Sequence, residues 1–380
     1  MIKNKNKIDI SILITIIIFA IISIFTINSA STYISSSMGN LVAKQVIWYF
    51  IGAILTLIIM HFKNEYLYRH AFVLYVIFCV LLLLLLFFGT PINNSKCWFT
   101  IPGVGNFQPS EFMKIVLMLV LSVMINNFRI QYDEATIKDE ALFIFKTLII
   151  VLIPSTLTFL QPDTGAVIMY LVIYFCMMFT SGIRMRWFVI CGILAVLLLS
   201  SIMGIYFLNS ELFINLFGTN LFYRFERIFN WQSGSGLQLE NALAAIGSAG
   251  LFGHGYNKTP IYFPESGTDF IFAVFASNFG FVGAVLLVSL ILFFDIKLIR
   301  LIGKKILITD KYILVGIIGC LVFQQVQNIG MTIGLLPITG ITLPFISYGG
   351  SSLLSYMLMV GIIFNISCDS NNHKYNYRFQ

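Results

Sequence analysis

Long apolar runs separated by short polar segments recur along the whole chain. Ten of these runs approach the roughly 20 residues that an α-helix needs to cross a bilayer. We therefore predict about ten membrane-spanning helices, an even number that places both termini on one side of the membrane. The predicted spans are residues 8–28, 45–62, 71–89, 111–128, 143–160, 165–182, 187–208, 269–294, 312–336 and 351–369.

One polar segment, residues 209–268, is much longer than the others and lies between the seventh and eighth predicted spans. Within it, residues 221–229 (LFYRFERIF) and 239–247 (LENALAAIG) have the spacing of short amphipathic helices. Such a segment resembles a lid at the membrane interface more than a separate domain. We predict an all-α polytopic membrane protein, with a single domain over residues 1–380 and one large loop.

Composition and charge agree with this topology and give it a direction. The chain is 58% apolar and 10% charged, with a mean hydropathy of +0.92, which is too apolar for a soluble protein of this size. Of the 23 Lys and Arg residues, 17 fall on the side of the termini, five fall on the other side, and Lys114 falls within a span. The positive-inside rule therefore places both termini in the cytoplasm and the large loop outside. The net charge of +7 reflects this topology, so no nucleic-acid partner is expected.

The polar motifs share the outer face of the predicted topology, which indicates that the chemistry takes place there. They lie in residues 94–114, 161–165, 224–269 and 337–352. Residues 327–352 contain five glycines and two prolines between two spans. Irregular backbone at the membrane is tolerated only where it is buried in protein or lines a cavity. This stretch, with Ser347 and Gly349, is predicted to form a rigid rim for a lipid-linked substrate.

The segment QPSEFMK, residues 108–114, opens the fourth predicted span. Ser110 is a candidate N-cap, and Glu111 and Lys114 have the i, i+3 spacing that lets them form an ion pair on one helix face. One interpretation is a buried structural pair, because a lysine one turn inside a membrane helix needs a partner. The other is that the pair lines a polar cavity in which Lys114 meets an anionic ligand.

Three further outer residues have both a structural and a functional interpretation. Trp98 is either an anchor at the membrane interface or part of a substrate site. Arg224 and Arg227 lie three positions apart, so they could bind a diphosphate together. Glu211 and Glu226 could equally pair with them. Asp163, in the QPDTG sequence, is interpreted as a turn or cap residue.

The stretch PESGTDFIF, residues 264–272, places Asp269 between a polar loop and a long apolar run. As a first-turn helix residue after Thr268, Asp269 would be favoured by the helix dipole alone. A carboxylate at such an apolar boundary is also suited to act as a general base toward a sugar hydroxyl. Glu265, four residues earlier, could assist Asp269 or face water.

Taken together, five motifs make the chain resemble, over nearly its whole length, the shape, elongation, division and sporulation family of bacterial proteins. These motifs are QPSEFMK, QPDTG, AIGSAGLFGHGY, PESGTDFIF and LPFISYGGSS. The resemblance implies a ten-span peptidoglycan glycosyltransferase of the bacterial cytoplasmic membrane, closest to the rod-elongation (RodA) branch. It implies that Asp269 is the essential aspartate, Trp98 the outer-loop tryptophan, and Glu111 with Lys114 the cavity ion pair. The residues expected to bind substrate are Gln108, Trp98, Glu111, Lys114, Arg224, Arg227, Glu265, Ser347 and Gly349.

The resemblance also implies partners, and it has one marked departure. Lipid II, the nascent glycan strand, membrane lipids and a class B penicillin-binding transpeptidase are the expected partners. No cofactor is required, although a divalent cation such as Mg²⁺ could neutralise the diphosphate. No protein metal site is predicted, and the six cysteines form no C-x-x-C pair. Ser277 and Asn278 stand where the family usually has two glutamates, which leaves open a non-catalytic activator of the transpeptidase. A flippase for lipid-linked precursors is a separate alternative, although polar motifs on one face favour chemistry at the membrane surface.

Overall fold

The computed structural model describes residues 8–31, 41–92, 95–101, 105–132, 134–229, 236–304 and 306–371. Helices dominate these ranges, as the apolar runs predict. Three short strands lie between the third and fourth helices: β1 (Thr90–Ile92), β2 (Ser95–Ile101) and β3 (Gly105–Phe107). The helices are α1 (Ile10–Ser31), α2 (Leu41–Arg69), α3 (Ala71–Phe88), α4 (Pro109–Gln131), α5 (Ile137–Leu160), α6 (Thr164–Thr180), α7 (Arg186–Leu208), α8 (Ser210–Phe217), α9 (Thr219–Phe229), α10 (Gly236–Ser248), α11 (Ile271–Ile302), α12 (Ile308–Thr332) and α13 (Gly350–Asn371).

Every predicted span coincides with an apolar helix. Over the ranges given above, nine helices are long and apolar enough to cross a membrane. The sixth predicted span corresponds to α6, which has 17 residues and is shorter than the other nine. A tight turn at residues 161–163 separates α6 from α5. The fold is therefore a polytopic helical membrane protein, and the number of crossings stays a prediction.

The centre of the bundle is formed by α4, α12 and α13, which are its most buried candidate spans. Helices α2 and α13 approach each other closely because glycines face the partner helix. A Cβ added to Gly52 would lie 2.6 Å from Met357 Cγ, and one added to Gly361 would lie 2.8 Å from Ile59 Cβ. In contrast, no residue of α7 is buried. The described part of α7 therefore lies at the edge of the bundle.

Two of the long helices are interrupted. In α2 the break is at Lys63 (φ 62°), and in α11 it is at Gly280 (φ 66°). The eighth predicted span, residues 269–294, therefore contains a break that the apolar pattern did not predict. Residues 281–302 form a continuous stretch that is about 33 Å long at 1.5 Å per residue, enough to cross about 30 Å of hydrocarbon. The outer piece, residues 271–279, is buried over residues 271–278, so it packs within the protein.

The break in α11 is filled by the loop that follows α10. At the break, some backbone N–H and C=O groups of α11 have no partner within the helix. The loop after α10 provides hydrogen-bond partners for them, because buried backbone groups need such partners. Gly253 (φ 79°) makes the approach possible, because a Cβ there would lie 2.2 Å from Asn278 O. The four bonds run from His254 N to Ser277 O (3.0 Å), Gly255 N to Asn278 O (3.1 Å), Phe281 N to Gly250 O (3.0 Å) and Val282 N to Leu251 O (3.1 Å).

The outer loop before α4 contains a small sheet that the all-α prediction did not include. Its order is β1–β2–β3, and both pairs are antiparallel. The sulfur of Cys97, in β2, donates to Gln161 O at 3.0 Å. The sheet is therefore fixed on the turn between α5 and α6.

The large outer segment contains the two amphipathic helices that were predicted, as α9 and α10, and one more, α8. The ring of Tyr206, at the end of α7, contacts the rings of Phe213, Phe222, Phe225 and Phe229. This aromatic cluster joins α7, α8 and α9. Helix α10 instead packs against α11 through buried alanines at positions 242 and 245.

Candidate active site

Asp269 lies in a turn just before α11, and the helix begins two residues later, at Ile271. The prediction that Asp269 belongs to the first helical turn was therefore wrong. The reason is a turn at Glu265 (φ 53°), whose carbonyl accepts from Thr268 N (3.2 Å) and Phe270 N (3.1 Å). Residues 264–270 form this turn before the helix starts, so Asp269 lies in a loop. Glu265 itself is exposed, and its Oε2 accepts from Thr268 Oγ1 at 2.7 Å.

The loop that carries Asp269 is held by side chains from two other elements. Ser347 Oγ donates to Thr268 O at 2.6 Å, and Asn328 Nδ2 donates to Asp269 O at 2.9 Å. The carboxylate faces Gly340, where an added Cβ would lie 3.6 Å from Asp269 Oδ2. The Gly- and Pro-rich stretch thus forms a rim next to Asp269.

A second polar cluster surrounds the predicted ion pair. Lys114 Nζ lies 2.7 Å from Glu111 Oε2, and Lys114 is only 1% exposed. Ser355 Oγ donates to the same carboxylate oxygen at 3.3 Å, and Nζ lies 5.5 Å from the ring centroid of Tyr356. Because Lys114 is enclosed in this way, the geometry favours the structural interpretation of the pair, which joins α4 to α13.

Asp163 connects the QPDTG turn to the start of α4. It caps α6, with Oδ1 accepting from Ala166 N at 3.0 Å, as predicted. Its Oδ2 accepts from Gln108 Nε2 (3.0 Å) and Ser110 Oγ (3.1 Å). Ser110 is therefore not an N-cap, because α4 begins at Pro109 and the Ser110 hydroxyl serves Asp163. Burial raises the pKa of Asp163, the hydrogen bond from Ala166 N opposes that shift, and the charge of Glu111 adds to it.

Residues 339–342 connect the two clusters. Asn328 Nδ2 donates to Ile341 O at 2.8 Å, and the Thr342 hydroxyl lies 3.1 Å from the Tyr356 hydroxyl. Gly165, in α6, approaches the same segment, since an added Cβ would lie 3.3 Å from Thr339 O. The segment therefore links the loop of Asp269 to the neighbours of Lys114.

The remaining predicted residues lie in different places. Trp98 is half-buried in β2, where its carbonyl accepts from the Thr90 hydroxyl at 3.0 Å. Gly349 directly precedes α13, and its carbonyl accepts from Leu353 N at 3.1 Å. Arg224 and Arg227 belong to α9, but their side chains lie outside the described residues.

Ser277 and Asn278 lie next to the break in α11. Both are fully buried, at 0% and 1% exposure. Asn278 Nδ2 donates to Ser29 Oγ at 2.7 Å, and its Oδ1 accepts from Thr259 Oγ1 at 3.0 Å. These neutral side chains therefore bond α1 and the outer loop to the interrupted helix.

Sequence reasoning missed the buried amides of α12. Gln324 Nε2 donates to the Tyr356 hydroxyl at 2.9 Å, and Asn328 holds the loop of Asp269. The signal was present in the sequence, because Gln324, Gln325, Gln327 and Asn328 interrupt an apolar run. Polar side chains at such positions are costly in a membrane and usually have a function or a partner.

The described residues do not fit a metal ion held by protein ligands alone. Among them, no group of three or more His, Cys, Asp or Glu could hold such an ion. Mg²⁺ is commonly bound by one or two carboxylates together with substrate phosphates. A divalent cation would therefore need ligands from outside the described residues to complete its shell.

Comparisons with known proteins agree with one another. Residues 9–372 match the model of the FtsW, RodA and SpoVE family, described as cell cycle protein. The chain is 31% identical to the probable peptidoglycan glycosyltransferase FtsW of Haemophilus influenzae, covering 92% of this chain and 88% of that protein. It is also 31% identical to stage V sporulation protein E of Bacillus subtilis, covering 97% and 99%.

A solved structure has the same fold. It is a chain from work on the structural coordination of polymerization and crosslinking by a peptidoglycan synthase complex. The TM-score is 0.78 at 26% identity, covering 96% of this chain and 98% of that one.

Proposed function

The chain belongs to the FtsW, RodA and SpoVE family, and we propose that it is a peptidoglycan glycosyltransferase that polymerises lipid II. Two relatives named above support this proposal: one is named a probable peptidoglycan glycosyltransferase, and the other comes from a peptidoglycan synthase complex. The single observation of the structure that carries it is the placement of Asp269. A carboxylate is held on a braced loop beside a Gly-rich rim, at the end of the bundle that the charge distribution places outside.

The proposed reaction is a single displacement with inversion. Asp269 takes the proton of the GlcNAc 4-hydroxyl of an acceptor lipid II as the oxygen attacks the anomeric carbon of MurNAc on the donor. A bond forms between these two atoms, and the bond from that carbon to the diphosphate oxygen breaks. Undecaprenyl diphosphate leaves with the electron pair. Such an inversion requires one base and no covalent carboxylate intermediate.

The remaining roles are proposed from the sequence and from the contacts described above. Arg224 and Arg227 are proposed to neutralise the leaving diphosphate, with Trp98 and Gly349 at the edges of the substrate site. Four residues are proposed to shape the site rather than to bind the diphosphate directly. Glu111 and Lys114 form the buried ion pair. Gln108 and Ser347 hydrogen-bond to neighbouring polar groups. Grooves between the outer helices would hold the prenyl chains.

The proposal includes a location and a partner. We expect a multi-pass protein of the bacterial cytoplasmic membrane with both termini in the cytoplasm, because basic residues are concentrated on that side. We also expect a class B penicillin-binding transpeptidase as partner, since a related chain belongs to a synthase complex.

The test is polymerisation of labelled lipid II by the purified protein together with its transpeptidase. Asp269→Asn keeps the shape of the side chain but removes the base, so we expect strand formation to fall by at least about 100-fold. Glu240→Gln, which changes an exposed acid on α10, should polymerise like the wild type. Polymerisation that continues in the presence of moenomycin excludes a contaminating classical glycosyltransferase.

Three outcomes would contradict the proposal. Equal synthesis by Asp269→Asn and the wild type would show that Asp269 is not the base. No strands from the wild-type complex, with unchanged crosslinking of added strands, would favour a non-catalytic activator. Transfer of lipid II across vesicles without polymerisation would favour a flippase.

A further inference from the structure

Asn328 is a fully buried amide one turn before the end of α12. Its Nδ2 donates two hydrogen bonds, to Asp269 O at 2.9 Å and to Ile341 O at 2.8 Å. The first partner precedes Asn328 by 59 positions, and the second follows it by 13. A single side chain therefore joins the loop of Asp269, the rim and α12.

The orientation of this amide is determined by chemistry. The oxygen and nitrogen of an asparagine amide have nearly the same shape, but only the nitrogen can donate to a carbonyl. Two carbonyl oxygens face the same end of the side chain, so that end is Nδ2. The backbone of Asn328 is also held, because Thr332 Oγ1 donates to its carbonyl at 2.7 Å.

The bond to Asp269 O fixes the peptide group that follows Asp269. The N–H of the same peptide, from Phe270, donates to Glu265 O at 3.1 Å. The preceding peptide is held by Ser347 Oγ, which donates to Thr268 O at 2.6 Å. When both flanking peptide planes are fixed, the direction of the Cα–Cβ bond between them is fixed as well. The aim of the carboxylate thus depends on Ser347 and Asn328.

We infer that Asn328 is a positioning residue that aims the Asp269 carboxylate through the peptide carbonyl of Asp269. The inference rests on the proposed role of Asp269 as the base. A displacement of about 1 Å in a reacting group can cost about 100-fold in rate. Loss of the Asn328 amide should therefore lower kcat while substrate binding is retained.

Asn365 provides a matched control, because it is a buried asparagine of α13 that also donates two hydrogen bonds. Its Nδ2 donates to Ile59 O and to Asn64 Oδ1, both at 3.0 Å. Both partners belong to α2, so these bonds join α13 to α2 and not to the loop of Asp269. A purely structural contribution of a buried asparagine should be common to Asn328 and Asn365.

The experiment compares Asn328→Leu and Asn365→Leu in the complex with the transpeptidase. We expect Asn328→Leu to lower kcat for lipid II polymerisation by at least about tenfold, with KM changed by less than about threefold. Asn365→Leu should lower the unfolding temperature to a similar extent but keep kcat within about threefold of the wild type. Should Asn328→Leu fail to fold, Asn328→Ser keeps one donor, and it should give an intermediate kcat.

Three results would separate the hypotheses. Equal losses of kcat in the Asn328 and Asn365 variants would overturn the inference and assign both residues a structural role. A wild-type kcat in Asn328→Leu or Asn328→Ser would overturn it as well. Absence of polymer from the wild-type complex would instead contradict the proposed function.

Discussion

At the scale of single residues, the chain encloses charges that depend on each other. Lys114 and Glu111 form a 2.7 Å pair in which the lysine is almost fully buried. Removing one partner from a buried pair leaves an uncompensated charge, which costs about 3–5 kcal/mol, whereas replacing both partners is far less costly. The pair is thus a condition for folding as much as for chemistry.

We predict that Lys114→Met lowers the free energy of unfolding by about 3–5 kcal/mol. The double variant Glu111→Gln with Lys114→Met should regain most of this loss, because no charge is then left unpaired. Chemical unfolding in detergent measures the stability, and lipid II polymerisation measures the activity. A double variant as unstable as the single one would show that the charge is not the cause.

Asp163 gives a pH-dependent prediction. Its pKa is raised by burial, so the folded state holds this proton more tightly than the unfolded state. The carboxyl group therefore destabilises the fold as pH rises from the ordinary value of 3.8 through the raised pKa, and it has no such effect below 3.8.

Asp163→Asn should accordingly gain stability relative to the wild type as pH rises. Its amide oxygen can still accept from Ala166 N. The new NH2 group can donate to Ser110 Oγ, and to Gln108 once the Gln108 amide turns to present its oxygen. Thermal unfolding of both proteins between pH 4 and pH 7 provides the measurement. A difference in unfolding temperature that does not change with pH would contradict the prediction.

The sequence was sufficient to predict interactions between residues that are close along the chain. The i, i+3 spacing was enough to pair Glu111 with Lys114, and a polar-to-apolar boundary was enough to single out Asp269. The contact of Asn328 with Asp269 spans 59 positions, so it depends on how the helices pack. No local pattern contains that information.

At the scale of elements, the interruption of α11 is the main feature that the apolar pattern concealed. Hydropathy marks where an apolar helix lies but not whether its backbone is continuous. Gly280 has a positive φ inside a helix, and the loop after α10 occupies the space beside it. A Cβ at Gly280 would lie 2.3 Å from Gly253 N and 2.5 Å from Leu251 O.

We predict that Gly280→Ala destabilises the protein strongly and reduces polymerisation. The substitution would force a side chain into a left-handed conformation, which costs about 1–2 kcal/mol, and into contact with two backbone atoms. Gly247→Ala is the control, because it lies in α10 with nothing within 4 Å of the added Cβ. The control should be neutral or stabilising by up to about 1 kcal/mol. Thermal unfolding of both variants provides the comparison.

At the scale of the whole molecule, the sequence predicts that the basic residues are concentrated on the membrane side that holds the termini, opposite Asp269. This orientation rests on the positive-inside rule and stays a prediction. Composition and hydropathy could not predict the three strands, because they carry no information about which backbone segments pair with each other.

A labelling experiment tests the orientation. In a background without the six cysteines, Glu240→Cys should react with a membrane-impermeant maleimide in intact cells. Glu134→Cys, an exposed position between α4 and α5, should react only after the membrane is permeabilised. The opposite pattern would invert the topology.

The hydrogen bonds from Asn328 and Ser347 to the loop of Asp269 also have a consequence for biogenesis. A ribosome delivers the chain from the N-terminus, so Asp269 emerges before α12 and before Ser347. Residues 281–302 can enter the bilayer alone, whereas the outer piece of α11 needs the loop after α10 already folded against it. Asn328 and Ser347 can hold the loop only once α12 and the Gly- and Pro-rich rim have been inserted. Until then a nascent chain carries the carboxylate of Asp269 without the correct aim.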